Sequence, residues 1–447
     1  MAFWCCVISL YTGFSTKAGF LFSVFIMIAQ NFFKLAAIAA LLSACQLPLV
    51  AMRAPTSAPA ATTAPTQAAA PASIAPKTNL TEGCVDKFDP NTDYFPEKAS
   101  LSAASGLKIE YFKSYKVVTV ETPWPGASKA FRYVLVQCGT PAPSTVSAAL
   151  MINVPAKTLV AMSTTELPIL DQLELMDKLV GIDSFLWTNN AKAQARIKTG
   201  QVIEIGGGAD VNIEKTINLK ADVIFSSDSG SPEYDAHPKL IEAKLNVVVD
   251  GSWMEQSPLG RAEWSKFIAA FFNKEAVAEA EYARIAQEYT ALAEKARTVP
   301  NKPTVLINMP YKDTWSMAGG KSYVAQLLAD AGLAYNWSDD TSTGSLPLKF
   351  EEVLDKAATT DLWLLNAAGT FSDTLSITDL DPRYGEFGAL KTGQVWNNDL
   401  QVNANGGNAF FESGATNPQL VLADLIKIAH PELLPDHEFV FYRQVSK

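Results

Sequence analysis

The chain has 447 residues, 48% hydrophobic and 18% charged, with a formal net charge of −10. That much apolar material supports two or three domains at ~100–200 residues each and excludes global disorder. The acidic balance argues against a nucleic-acid partner, which needs a basic face, and three histidines with five cysteines lacking a CxxC pair offer neither zinc-site spacing nor an iron–sulfur framework.

Residues 1–44 contain Lys17 and Lys34, no acidic residue and two apolar runs, an export-signal composition. From Met27 onward the stretch resembles a bacterial lipoprotein signal, in which Leu42-Ser43-Ala44-Cys45 is the lipobox and Cys45 takes the lipid. The start lies at Met1 or Met27, and an uncleaved N-terminal membrane helix is the alternative. Either way the folded part lies outside the cytoplasm. Residues 54–76 are almost wholly Ala, Pro, Thr and Ser, a composition that builds no core and serves as a tether. With Cys5 and Cys6 lost and Cys45 lipidated, Cys84 and Cys138 are the remaining pair in an oxidising compartment and are expected to be bridged.

Between those cysteines, Leu107 to Tyr111, Tyr115 to Glu121 and Phe131 to Gln137 are β-rich runs separated by turn signals such as Pro123-Trp124-Pro125-Gly126. They predict a small antiparallel β element before the main body. From Thr158 short apolar strands alternate with helices: TLVAM, LVGID, QVIEI, DVIFS and NVVVD, with helices near 166–176, 212–219 and 236–244. This alternation predicts a parallel sheet with crossover helices. Ligand sites in such sheets lie beyond the carboxyl ends of the strands, so segments 163–166, 184–190, 205–210, 226–233 and 251–258 should share one rim. The triple glycine at 206–208 lacks phosphate-loop and dinucleotide spacing and fits a strand-end turn.

Residues 261–297 read as helix, interrupted at Asn273, where that residue is expected to cap a second stretch long enough to cross between lobes. A second alternation follows: TVLINM, helices 322–331 and 350–356, DLWLLN, QVW and a closing helix 418–429. Its rim comprises 310–320, 366–373 and 397–407. The fold class is therefore α/β: two α/β lobes joined by one long helix, with a small N-terminal β element. The boundaries are 1–44 signal, 45–80 tether, 81–148 β element, 149–272 lobe 1, 273–299 inter-lobe helix and 300–447 lobe 2. No GxSxG elbow exists and no histidine accompanies a nucleophile, so an enzyme is disfavoured.

Over residues 150–447 the chain resembles the substrate-binding proteins of bacterial ABC importers for ferric siderophores, haem and vitamin B12. The carriers are TLVAMSTTELPILDQLELMDKLVGID, GGADVNIEKTINLKADVIFSSD, PLGRAEWSKFIAAFFNKEAVAEAE, WSMAGGKSYVAQLLADAG and the ending from GGNAFFESG to FVFYRQ. The resemblance implies a monomeric, non-catalytic receptor. It takes an iron chelate, without a cofactor or directly held metal of its own, and passes it to a permease driven by an ATPase. A signalling receptor of the same fold, or a cobalamin or haem binder, is the alternative. It also implies one glutamate per lobe that meets permease arginines: Glu214, and Glu351 or its neighbour Glu352. Trp187, Trp253 and Trp315, on expected strand-end loops, are candidate ring contacts for a chelate, and Arg383 is a candidate partner for its negative charge.

Overall fold

The computed structural model describes residues 75–144, 146, 150–367 and 376–445. The signal segment, Cys45, nearly all of the tether and residues 368–373 of the second rim lie outside the described residues.

Strands β1 (Leu107–Tyr111), β2 (Tyr115–Val120) and β3 (Phe131–Gln137) form the expected antiparallel meander. A fourth strand, β4 (Leu150–Val154), pairs parallel with β3, so the element is a mixed four-stranded sheet, not a purely antiparallel one. Nor is it a separate body. Phe95, Leu107, Val118, Val120, Tyr133 and Leu135 are buried in one cluster with Leu159, Leu179 and Phe225 of lobe 1. Cys84 and Cys138 are disulfide-bonded, at the edge of this packing.

Lobe 1 is a parallel sheet in the order β7-β6-β5-β8-β9. Its strands are β5 (Leu159–Ala161), β6 (Leu179–Ile182), β7 (Ile203–Glu204), β8 (Val223–Ser226) and β9 (Val247–Val249). Alternate side chains go to opposite faces: Leu159, Ala161, Val223 and Phe225 enter the core shared with the N-terminal sheet, while Val160, Ile224 and Val247 pack beneath Leu240 and Val211. Burial on both faces explains why these strands are uninterrupted apolar runs. Helices α1 (Leu167–Gln172), α2 (Ala191–Lys198), α3 (Ile213–Leu219) and α4 (His237–Glu242) supply the crossovers. The sequence reading lacked α2, whose segment AKAQARIK buries Ala193 alone and so has little apolar periodicity.

Helices α5 (Pro258–Glu263), α6 (Ser265–Phe272) and α7 (Glu275–Arg297) carry the chain to lobe 2. Asn273 does not N-cap α7. It is the left-handed C-cap of α6, with φ +56°, and its side chain is committed elsewhere: Nδ2 donates to Leu80 O and Gln137 Oε1, and Oδ1 accepts from Lys116 Nζ. Lys116 is fully buried and also donates to Glu275 Oε1 at 2.6 Å and to Ala270 O. Glu263 accepts the backbone N–H groups of Ser102, Ala103 and Ala104. The N-terminal element is thus bolted to the start of the inter-lobe helix by buried, partnered charges.

In lobe 2 the strands β10 (Thr304–Ile307), β12 (Ala334–Tyr335), β14 (Leu362–Leu364) and β15 (Val395–Asn397) run parallel in the order β12-β10-β14-β15. Strand β16 (Arg443–Gln444) closes the sheet antiparallel. A separate two-stranded antiparallel sheet, β11 (Trp315–Ala318) with β13 (Ser345–Leu348), belongs to the same lobe. Helices α8 (Tyr323–Asp330), α9 (Phe350–Ala357), α10 (Ile377–Leu380), α11 (Gly388–Thr392), α12 (Ala409–Ser413) and α13 (Pro418–Ala429) complete it. The lobe 2 core includes Tyr289, Ala293 and Ala296 of α7.

Candidate functional site

Because the lobe 1 strands are all parallel, the residues after them share one edge, and that edge is acidic. Glu166 follows β5, Asp183 ends the β6 run, Asp228 follows β8 and Asp250 follows β9. Glu166 completes a capping box with Ser163 and is fully buried, with Oε1 left without a partner. Burial first, then the charges of Asp250 and Asp183, hold its carboxyl well above the usual range. The Asp183 carboxyl is pushed up to about 7, chiefly by burial, and its Oδ1 is also unpartnered. Burial raises Asp250 too, against hydrogen bonds from Ser252 and the charge of Arg261.

Arg261 is the cation set against this edge. Its Nη2 donates to Trp253 O at 2.8 Å, and its guanidinium stacks 4.1 Å from the ring centre of Tyr323 in lobe 2. Its Nε is buried without a partner. A second contact joins the lobes at the β6 end. Asn403 Nδ2 donates to Leu186 O and Thr188 O, Asn189 N donates to Glu412 Oε2 at 2.6 Å, and Gln172 Nε2 donates to Asn417 Oδ1. Gly407 permits this approach, since a Cβ there would stand 2.7 Å from Trp187 O. Burial pushes the Glu412 carboxyl up to about 7, against the Asn189 and Asn190 amides that stabilise its charge.

The edge of lobe 2 is rich in asparagine among the described residues. Asn308 and Asn366, both at positive φ, follow β10 and β14. Asn366 Nδ2 donates to Asn308 Oδ1 and Asn398 Nδ2 to Asn366 Oδ1, while Asn397 exchanges two hydrogen bonds with Ala367. Asn398 Oδ1 remains buried and unpartnered. A row of acidic side chains, in which burial biases the Glu166, Asp183 and Asp250 carboxyls toward the proton-bearing form, thus lies on one lobe and a row of amides on the other, with Arg261 at the lobe junction.

Of the expected ligand contacts, Trp187 lies at the lobe contact beside Gly406, and Trp253 is half-buried beside Arg261. Trp315 is not in the cleft. It is 0% exposed in the lobe 2 core, packed on Trp363 and Phe387, with Nε1 donating to Ile307 O, because it opens a strand and not a loop. Arg383 is not there either. It lies exposed, paired with Asp381 and Glu351 and stacked on Phe350. Glu214 is exposed in the first turn of α3. Glu352 turns back on Lys349 N and Glu351 pairs with Arg383 at 3.0 Å, so the two adjacent acids have different partners. Gly206 and Gly208 adopt positive φ in the turn after β7. The acidic edge was not singled out from sequence, although LVGID, DVIFSSD and NVVVD each end an apolar run on aspartate.

A periplasmic binding protein family model matches residues 159–399. Two uncharacterised lipoproteins of Methanocaldococcus jannaschii are similar. One is 26% identical over 393 residues, 81% of this chain and 95% of the relative. The other is 25% identical over 304 residues, 65% and 69% respectively. A periplasmic binding protein from Veillonella parvula, 17% identical, superimposes with a TM-score of 0.51, covering 71% of this chain and 99% of that one. That likeness is one of fold.

Proposed function

Since the chain belongs to the periplasmic binding protein family, a family of non-catalytic receptors, we propose that it is the extracytoplasmic substrate receptor of an ABC importer. It captures a metal chelate between its lobes and delivers it to a membrane permease driven by a cytoplasmic ATPase. The observation that carries this reading is the meeting of the two strand-end edges, joined by the Asn189–Glu412 hydrogen bond and the Arg261–Tyr323 stack. Buried carboxylates with unpartnered oxygens need hydrogen-bond donors or positive charge, and a ligand entering the cleft supplies them. An acidic row in which Asp183 ionises as pH rises through about 7 favours a neutral or cationic chelate, as a ferric trihydroxamate is, over a ferric triscatecholate trianion.

Anchoring through a lipid on Cys45, with the Ala/Pro/Thr tether as spacer, holds a monomeric receptor at the outer face of the membrane. Exposed Glu214 and Glu351 are the docking carboxylates. Glu351 exchanges its Arg383 partner for a permease arginine on docking, whereas Glu352 is retained by the helix cap.

Fluorescence titration tests the ligand class, with Trp187 as reporter. Neutral and cationic ferric hydroxamates should bind and change the emission, cobalamin and haem serve as the other arms, and a triscatecholate should bind least. Tightest binding of the triscatecholate would overturn the charge argument.

A further inference from the structure

The loop after β8 folds back so that Asp228, Asp235 and His237 each bring one ligand atom within 4.8 Å of the others. The two aspartates are 3% and 2% exposed. His237 Nδ1 lies 3.0 Å from Asp228 Oδ1, yet that nitrogen and Asp228 Oδ2 are both buried without a hydrogen-bond partner. A pair held only by a hydrogen bond would aim the ring N–H at the oxygen. A 3.0 Å separation without a hydrogen bond is that of two ligands of one ion: metal bonds of about 2.0–2.2 Å place neighbouring donors about 2.8–3.1 Å apart in an octahedron and about 3.3–3.6 Å apart in a tetrahedron.

The other two histidines are otherwise engaged, His430 Nε2 with Gly332 O and His437 Nε2 with Asp424 Oδ1. Asp235 is oriented by its loop, Oδ1 accepting from both Ser229 N and Ser229 Oγ and Oδ2 from Gly230 N, which leaves Oδ2 a lone pair for an ion. The roof comes from the N-terminal sheet. Trp124 stacks 5.3 Å from the His237 ring, Phe131 meets it edge-on at 6.1 Å, and a Cβ on Gly230 would lie 2.4 Å from Trp124 Cδ1.

We propose that Asp228, Asp235 and His237 hold a resident divalent first-row transition metal ion that fixes the 227–236 loop and fastens lobe 1 to the N-terminal sheet. One imidazole and two carboxylates suit Zn²⁺, Fe²⁺ or Mn²⁺ and disfavour the soft Cu⁺. The ion is a structural fixture beneath Trp124 at the β8 end of the acidic edge, taking Asp228 out of the row that faces the chelate, and the inference stands whatever that chelate proves to be. It also gives the additional β element a task.

The full chain, purified without an affinity tag, is loaded with Zn²⁺, dialysed and assayed by mass spectrometry for metal. About one equivalent should be retained, falling about tenfold or more in Asp228→Asn and in His237→Ala. In the unaltered protein, Co²⁺ should quench a fluorescence component that Trp124→Phe removes without loss of cobalt, a readout that does not depend on the ligand variants folding. Zinc retention unaffected by both ligand substitutions overturns the proposal. So does its loss on Asp183→Asn, which would put the ion in the cleft, and so does the absence of retained metal in the parent.

Discussion

Replacing Asp183 by Asn should make the protein more stable and its cleft a poorer one. The carboxyl is raised from an ordinary 3.8 to about 7, with burial as the largest cause. Three pH units at 1.36 kcal/mol each are about 4 kcal/mol. The folded state holds this proton more tightly than the unfolded chain, so the contribution is full below about pH 4, shrinks as pH rises toward 7 and is gone above it. At pH 8 the native protein bears the cost of a largely desolvated carboxylate with one oxygen, Oδ1, unpartnered. Asn has the same shape, can still accept from the backbone, carries no charge and relieves Glu166, which feels the Asp183 charge. Urea unfolding at pH 4, 5.5 and 8 should give a stability difference, variant minus parent, near zero at pH 4 and rising to as much as ~4 kcal/mol at pH 8. In the same variant, affinity for a cationic chelate should fall at pH 8. A stability difference independent of pH, or a variant less stable at pH 8, would refute the reasoning.

Glu412 acts on stability by the same sign. Its carboxyl stands at about 7, against an ordinary 4.5, so the folded protein holds this proton more tightly than the unfolded chain and gains up to ~3 kcal/mol as pH falls from 8 to 4.5. Urea unfolding should lose this part of its pH dependence in Glu412→Gln, which keeps the acceptor. A pH response undiminished in the variant would assign it to other groups. Replacing Cys84 and Cys138 by Ser should lower stability by ~2–4 kcal/mol, since the bond closes a long loop in the unfolded chain. An unchanged urea midpoint would mean that the shared core alone holds the N-terminal sheet.

Elements with strong periodicity were visible in the sequence. The closing helix runs from Pro418 to Ala429 as expected, and the lobe 1 strands sit within their apolar runs. Failures came where tertiary context overrode local pattern. Asn273 has the chemistry of either cap, and only the buried Lys116 and Leu80 O decide which it is. Trp315 reads as a loop residue because its polar flank Lys312-Asp313-Thr314 does not reveal an antiparallel partner, β13, which lies 30 residues on, beyond a helix and a strand. Strand β4 pairs parallel with β3 across the connection 138–149, whose Gly139, Pro141 and Pro143 mark a break in the chain but not which strand resumes beside β3. For the site, the lobe 1 strand ends were legible in the sequence but not their charge, and the expected rim segment 310–320 of lobe 2 contains the buried strand Trp315–Ala318. The sequence reading weighed tryptophans one at a time, whereas the acidic edge exists because parallel strands bring aspartates 183, 228 and 250 into one row.

The importer reading is tested most directly by separating capture from delivery. Glu214 and Glu351 are exposed and lie outside the cleft contacts, so reversing both to Lys places like charges opposite the permease arginines, where juxtaposition costs several kcal/mol. Uptake of a radiolabelled ferric hydroxamate by cells carrying the double variant should collapse while the purified variant binds that chelate with unchanged affinity. Normal uptake with normal binding would contradict the docking account.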